Sequence, residues 1–264
     1  MNATPDVEAE LGRIERERGC RVPFAIESGS RAWGFASRDS DFDVRFVYVR
    51  PEAWYLSIDA GAKRDVIEEP VDAVLDVSGW DLVKALNLYR RSNPPLYEWL
   101  HGPIVYRDRL GLRGELRELA RSFYNPKAAA YHYLRMTNNS WRQYLQKEVV
   151  RTKKYLYALR PVMAVLWIER GLGVVPVPFE ELMDAVLDEP EVRAAVDDLV
   201  AEKARTGELG ERPRDPVLHA YLRREMTRLE AVVARIEPPP PGPVERLNEV
   251  FRRVLREAWQ TDAA

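Results

Sequence analysis

The spacing of apolar residues changes once along the chain, and this change limits the folds that the chain can adopt. In the first part, short apolar or alternating runs at 22–27 and 42–49 predict strands, and 54–58 with 64–68 could pair as edge strands. From Trp80 onward the apolar residues recur at helical spacing. The pattern therefore predicts an α+β fold, in which a small mixed sheet precedes a helical bundle.

The same change suggests three segments. We expect residues 1–122 to form a catalytic domain and 123–236 to form a helical domain that closes a cleft. Residues 237–264 contain four consecutive prolines, which predict an extended spacer, and then a short amphipathic helix. The role of this last segment does not follow from any pattern in the sequence.

Composition excludes several classes of protein. The 264 residues are 46% hydrophobic and 31% charged, which is ordinary for a globular chain and excludes disordered and fibrous classes. A net charge of −2 argues against a strongly basic protein that coats nucleic acid. Cys20 is the only cysteine, so an internal disulfide and a cysteine zinc cluster are excluded. The first residues lack an apolar signal core and no run is long enough to span a membrane, so we expect a cytoplasmic protein.

The most informative stretch follows the first predicted strand. Gly29 allows the backbone to approach a phosphate closely, and Ser30 adds a hydroxyl donor where a short helix begins. Asp41 and Asp43 belong to the next strand, where alternation sends both carboxylates to one face. Two neighbouring carboxylates repel each other unless a cation lies between them, and hard oxygen ligands suit Mg²⁺. The stretch therefore predicts a site for a metal ion and a phosphate.

A third carboxylate is expected from a neighbouring strand, because two-metal nucleotidyl transfer usually needs one. Asp76 is the favoured candidate, since an acid inside an apolar strand needs an explanation, and Asp72 has the same parity. Arg45 shares the strand face of the first two acids. A salt bridge to Asp43 or Glu27 and a contact with the substrate are both open for Arg45.

These residues resemble a known family. Gly-Ser followed by Asp-Phe-Asp is similar to the signature of the DNA polymerase β nucleotidyltransferase superfamily. The longer string ESGSRAWGFASRDSDFDVRFVYVRP, together with KKYLYALRPVMAVLWIERG, resembles one branch of it. That branch contains predicted nucleotidyltransferases associated with RNA ligases in RNA repair. The resemblance covers roughly residues 20–175 and is weaker elsewhere.

The resemblance implies roles for individual residues. It assigns metal binding and catalysis to Asp41, Asp43 and Asp76, with two Mg²⁺ or Mn²⁺ ions. It assigns phosphate contacts to Gly29 and Ser30.

A lysine from the helical domain commonly reaches the phosphates in this superfamily. Lys153 and Lys154 are the candidates here, because they open a helix that then becomes strongly apolar.

The function implied is transfer of a nucleoside monophosphate from an NTP to an acceptor. The resemblance favours an RNA end as the acceptor, and an RNA ligase as a pathway partner. Basic and aromatic residues alternate between Arg142 and Arg160, which suits a phosphate backbone with stacked bases. Two alternatives stay open: nucleotidylation of a protein or small molecule, and a catalytically silent sensor of nucleotide or RNA.

Overall fold

A computed structural model describes residues 5–69 and 74–260 of the chain. The strands are β1 (Arg21–Glu27), β2 (Phe42–Val49), β3 (Val66–Glu68), β4 (Leu75–Asp81), β5 (Val105–Asp108), β6 (Val149–Arg151) and β7 (Glu211–Pro213). The helices of the first part are α1 (Val7–Arg18), α2 (Gly29–Trp33), α3 (Glu52–Tyr55), α4 (Leu82–Arg90), α5 (Pro94–His101) and α6 (Leu112–Phe123). The later helices are α7 (Pro126–Ser140), α8 (Thr152–Glu169), α9 (Phe179–Val186), α10 (Pro190–Thr206), α11 (Pro216–Arg235) and α12 (Val244–Gln260).

Local sequence signals explain where several helices begin. Asn93, Asn125 and Asp215 each precede a proline, and each side chain accepts a hydrogen bond from a backbone N–H in the first turn of α5, α7 or α11. An Asn or Asp cap satisfies a backbone donor that has no partner inside the helix, and proline at the first helical position gives up a donor that would be unpaired. The α7 helix continues into a π-helical turn at Trp141–Leu145.

The main sheet is mixed and has the strand order β3-β4-β2-β1-β5. The central strand is β2, which runs parallel to β4 and antiparallel to β1, and β1 is also antiparallel to β5. The α1 helix covers one face of the sheet, and α4, α5 and α6 cover the other. The α+β prediction is confirmed.

The helical part is built around α8, whose residues from Tyr155 to Ile168 are mostly buried. Four helices, α7, α9, α10 and α11, pack against it. Pro161 lies inside α8, yet the helix continues through it. Arg160 is buried beside this proline and its Nη1 is 2.7 Å from Oε1 of Glu98 in α5, so this arginine ties the two parts together.

The last helix returns to the first part of the molecule. Leu247, Val250 and Val254 on α12 join the apolar core between α4 and the sheet. The segment after residue 236 therefore completes that core. The boundary expected at residue 236 separates α12 in sequence from the first part of the chain, against which it packs.

Some elements differ from the sequence-based prediction. Residues 54–58 were expected to form an edge strand, but the chain forms α3 and a turn there, where the Tyr55 hydroxyl binds Asp81 at 2.9 Å. The short strands β5, β6 and β7 were not predicted. No helix in the described ranges has the length and apolar character needed to cross a membrane.

Candidate active site

Adjacent parallel strands place two of the predicted acids side by side. Asp43 on β2 is the register partner of Asp76 on β4, at the end where both strands begin. Asp41 comes immediately before β2 and is exposed. All three acids therefore lie near the same edge of the sheet, while Asp72 falls outside the described residues.

Gly29 brings the turn after β1 against Asp43. Its φ of +61° lies in the left-handed region, which a residue with a side chain adopts only at a cost. A Cβ atom at this position would stand 3.0 Å from Cγ of Asp43 and closer still to Oδ2. The amide of Ser28 also donates to the carbonyl oxygen of Asp43 at 2.8 Å. Ser30 follows as a buried residue of α2.

Arg45 joins the two paired carboxylates. Its Nη2 lies 3.0 Å from Oδ1 of Asp43 and 2.7 Å from Oδ2 of Asp76, and its Nη1 donates to the Asp76 carbonyl oxygen at 3.0 Å. Of the alternatives open for Arg45, the structure shows the salt bridge to Asp43. Glu27 instead accepts from the Asp43 amide at 2.9 Å and from the Tyr106 hydroxyl.

The charge distribution at Asp43 suits a cation. Burial raises the pKa of the Asp43 carboxyl above its ordinary value, Arg45 opposes this shift, and the charges of Asp76 and Asp41 add to it. The donors are carboxylate oxygens, the ligands that Mg²⁺ prefers. Within residues 5–69 and 74–260, no group of three acidic, histidine or cysteine side chains is close enough together to hold a metal ion.

The helical part faces this edge of the sheet through α8. Tyr157 keeps about a third of its surface exposed, at 37%, yet desolvation by the residues around it, together with the negative charges of Asp43, Glu208 and Asp41, raises its pKa to about 12. Tyr157 packs edge-on against Trp33 with ring centroids 5.2 Å apart. Tyr157 was not predicted as a site residue, because in the sequence it is one of several aromatic residues between Arg142 and Arg160.

The two candidate lysines have different surroundings. Lys153 Nζ is 2.8 Å from Oε2 of Glu208. Lys154 Nζ lies 3.9 Å above the ring of Tyr144 and 5.9 Å from that of Tyr157, and within the described ranges it has no acidic partner. Lys154 lines a groove of about 340 Å³, whose other lining residues are Tyr144, Lys147, Val149, Val150, Arg151 and Glu211.

A buried cluster of charges lies behind the acids. Lys203 on α10 is fully buried and its Nζ is 2.9 Å from Oε1 of Glu208, which also accepts from the Ser40 hydroxyl at 2.7 Å. Burial opposes ionisation of Glu208, but hydrogen bonds from Lys153, Ser40 and Lys203 outweigh it and lower its pKa to about 2.

This cluster was not predicted, although one feature of the sequence points to Lys203. In α10 the buried residues Val192, Val196 and Leu199 form an apolar stripe at helical spacing, and Lys203 continues that stripe. A lysine on the apolar face of a helix needs a buried partner. The partner, Glu208, could not be found in this way, because it lies in a short turn with no periodic pattern.

Comparisons with known proteins identify the family of this chain. The profile of the RlaP family, described as "RNA repair pathway DNA polymerase beta family", matches residues 3–253. "Uncharacterized protein YcgL" of Bacillus subtilis (strain 168) is 41% identical over 251 residues, which are 95% of this chain and 96% of that protein. A nucleotidyltransferase-like protein from Exiguobacterium sibiricum 255-15, solved by crystallography, shares 14% identity with a TM-score of 0.28, over 95% of this chain and 80% of that one. The profile match extends far into α12, a segment that the sequence patterns alone could not place. The chain belongs to the RNA repair pathway DNA polymerase beta family.

Proposed function

We propose that the protein is a metal-dependent nucleotidyltransferase that moves a nucleoside monophosphate from an NTP to an RNA end. The observation that carries this proposal is the pairing of Asp43 with Asp76 on adjacent parallel strands, directly beside the Gly29 turn. This arrangement offers carboxylates to a cation and a closely approaching backbone to a phosphate. Family membership supports the reaction class.

The three acids would hold two Mg²⁺ or Mn²⁺ ions, with Asp41 and Asp43 contributing to both and Asp76 to the one on the acceptor side. Bound ions of this kind neutralise phosphate charge and lower the pKa of an attacking hydroxyl. Asp76 would also accept the proton of that hydroxyl. In the structure Arg45 forms salt bridges to Asp43 and Asp76, and we expect its guanidinium to turn to the nucleotide phosphates when a cation replaces it there.

The remaining nucleotide contacts would come from both parts of the molecule. Gly29 and Ser30 would hold phosphate oxygens from the sheet side. Lys154 is the better placed of the two lysines for the outer phosphates, because its ammonium group is not committed to an acid. Lys153 would act indirectly, since it is paired with Glu208.

The RNA acceptor would follow the groove beside Lys154. Lys147 and Arg151 line this groove, and Tyr144 offers a ring on which a base could stack. Lys154, which lines the groove, lies 5.9 Å from the ring of Tyr157, and the charge of Asp43 acts on the Tyr157 hydroxyl. An RNA end in this groove would therefore approach the acids, and an RNA ligase of the same repair pathway would act on the product. A reaction on cellular RNA is consistent with a cytoplasmic protein.

The experiment is transfer of label from each α-³²P-labelled NTP, with Mg²⁺ or Mn²⁺, to a panel of RNA ends. The expected result is metal-dependent labelling of RNA with release of pyrophosphate. Labelling of a protein or small molecule in a cell extract, with all RNA ends unlabelled, would reject RNA as the acceptor. Absence of any transfer, with retained NTP binding, would reject the enzyme.

One observation favours a second candidate, a sensor that binds nucleotide or RNA without catalysis. Arg45 already forms salt bridges to both Asp43 and Asp76, as a fixed structural arginine would in a silent site. In a sensor, Arg45→Ala would unbalance the acids and weaken folding without creating activity. In the enzyme, the same variant would still bind Mn²⁺ but would lose affinity for the NTP.

A further inference from the structure

The segment between the Gly-Ser turn and the acids is docked on the helical part. Phe35 belongs to the apolar core of that part, and its ring packs edge-on against Phe179 with centroids 5.1 Å apart. Ser37 and Ser40, at the other end of the segment, are both buried. The chain that leads into Asp41 and Asp43 is therefore anchored outside the sheet that carries them.

The polar end of this anchor is Lys203. Its buried ammonium group donates to the carbonyl oxygen of Phe35 at 3.2 Å and lies 3.4 Å and 3.3 Å from the hydroxyls of Ser37 and Ser40. Glu208 Oε1 supplies the balancing charge at 2.9 Å. A lysine buried this deeply is tolerated only because its donors are satisfied, so the contacts specify one geometry of the segment.

The turn that carries Glu208 makes a second, reciprocal contact. The Glu208 amide donates to Oδ2 of Asp39 at 3.0 Å, while the Glu208 carboxylate accepts from Ser40. Gly207 has a φ of +74°, and a Cβ there would collide with the Asp39 carboxylate. Two residues just before Asp41 are thus held by one turn of the helical part.

We propose that Lys203 is a positioning residue, which with Glu208 fixes segment 35–40 so that Asp41 and Asp43 present their carboxylates to the metal ion. The inference rests on the proposed function for its metal site. It adds that the helical part determines the geometry of the acids and does more than cover the cleft. Lys203 acts through the backbone and hydroxyls of the segment and does not touch substrate.

The test compares the full-length protein with Lys203→Met and with a matched control, Arg212→Met. Arg212 also pairs with α10, at 2.9 Å from Glu202 and 3.2 Å from Asp198, but makes no contact with segment 35–40. Hydrogen exchange of peptides covering 35–43 should accelerate about tenfold or more in Lys203→Met, and should stay within about twofold of wild type in Arg212→Met. Equal exchange of these peptides in both variants would overturn the proposal.

Mn²⁺ titration followed by electron paramagnetic resonance provides the second readout. Lys203→Met should bind Mn²⁺ at least several-fold more weakly than wild type, and Arg212→Met should bind it normally. Normal Mn²⁺ affinity in Lys203→Met would overturn the proposal. If Lys203→Met does not fold, the double variant Ser37→Ala, Ser40→Ala removes the same contacts from the segment side and must give the same two results.

Failure of the proposed function has a different signature. The wild-type protein could order residues 35–43 through Lys203 and bind Mn²⁺, yet transfer no nucleotide. That result would reject the enzymatic function and leave the positioning role of Lys203 in place. Alternatively, the wild-type protein could transfer nucleotide while Lys203→Met changes neither hydrogen exchange nor Mn²⁺ affinity. That result would reject the positioning role of Lys203 and leave the enzymatic function in place.

Discussion

Gly29 is the residue whose size matters most at the site. Gly29→Ala should lower Mn²⁺ affinity and transfer, because the added methyl group would displace the Asp43 carboxylate. Gly34→Ala is the matched control, since Gly34 also has a positive φ, +88°, but a Cβ there meets nothing within 4 Å. Both variants should lose roughly 1–2 kcal/mol of stability from backbone strain. Only Gly29→Ala should lose metal binding as well, and equal Mn²⁺ affinity in the two would contradict the close approach.

The contribution of Glu208 to the stability of the fold should depend on pH. Its pKa is lowered from 4.5 to about 2 by the hydrogen bonds of Lys153, Ser40 and Lys203, despite burial. A lowered carboxyl pKa stabilises the folded state above the unfolded value, and this contribution is lost as pH falls through the folded value. Wild type should therefore exceed Glu208→Gln in melting temperature at pH 7, and the difference should shrink as pH falls below about 4.5 toward 2.

Thermal unfolding at a series of pH values measures this difference directly. Glu211→Gln serves as the control, because Glu211 is exposed and its pair with Arg151 has an N–O distance of 3.7 Å. Surface pairs of this kind contribute little to stability. A difference between wild type and Glu208→Gln that is constant from pH 7 to pH 3 would refute the buried pairing of Glu208 with Lys203.

For single residues, the sequence predicted the acids better than the side chains that contact the segment before them. Asp43 was selected because it shares a strand face with Asp41 after the Gly-Ser turn, and Asp76 because an acid inside an apolar strand needs an explanation. The structure brings Asp43 and Asp76 side by side. Whether they bind metal stays a prediction. Lys203 carried a readable signal on its helix, whereas Glu208 did not, because its contacts join residues about 170 positions apart in the chain, as with Asp39.

Among the elements, α12 is far in sequence from the first part of the chain but contributes to its apolar core. Leu247→Ala should lower the free energy of unfolding by about 2–5 kcal/mol, because the side chain is buried against the core of the first part. Arg252→Ala on the exposed face of α12 should change it by less than about 0.5 kcal/mol. Urea denaturation measures both, and a loss in Leu247→Ala as small as in Arg252→Ala would show that α12 does not pack there in solution.

Element types were predictable where the hydrophobic period was long or where caps were explicit. The Asn-Pro and Asp-Pro pairs mark the beginnings of α5, α7 and α11. The strands β6 and β7 have three residues each, too few for any period to be read, and they pair with each other across about 60 residues. Residues 54–58 look like a strand by composition, but tertiary contacts of Tyr55 favour a helical turn.

For the whole molecule, NTP and RNA should bind at separate places, the NTP at the acids and the RNA in the groove beside Lys154. Lys147→Glu with Arg151→Glu should weaken RNA binding, and the affinity for a non-hydrolysable NTP should stay unchanged. Wild-type RNA affinity should fall as salt rises, because each neutralised phosphate releases counterions. The double variant should show a shallower salt dependence by about one to two units of slope in the log–log plot.

Fluorescence anisotropy at several salt concentrations, paired with calorimetry for the NTP, separates the two effects. Arg142→Glu is the control, because Arg142 belongs to the same basic stretch but does not line the groove. An equal loss of RNA affinity in Arg142→Glu would show that binding depends on overall charge, and loss of NTP affinity in the groove variant would show that the two substrates share one site.

Metal-dependent transfer should require Asp43, and the rates of three proteins measure this requirement. Wild type, Asp43→Asn and the exposed control Asp59→Asn are given α-³²P-labelled NTPs, RNA ends and Mn²⁺, after melting curves show that all three are folded. Wild type and Asp59→Asn should label RNA at similar rates. Asp43→Asn should be slower by about 10³-fold or more, since several kcal/mol of charge stabilisation at the transition state are lost. Transfer by Asp43→Asn at a rate within about tenfold of wild type would contradict this requirement.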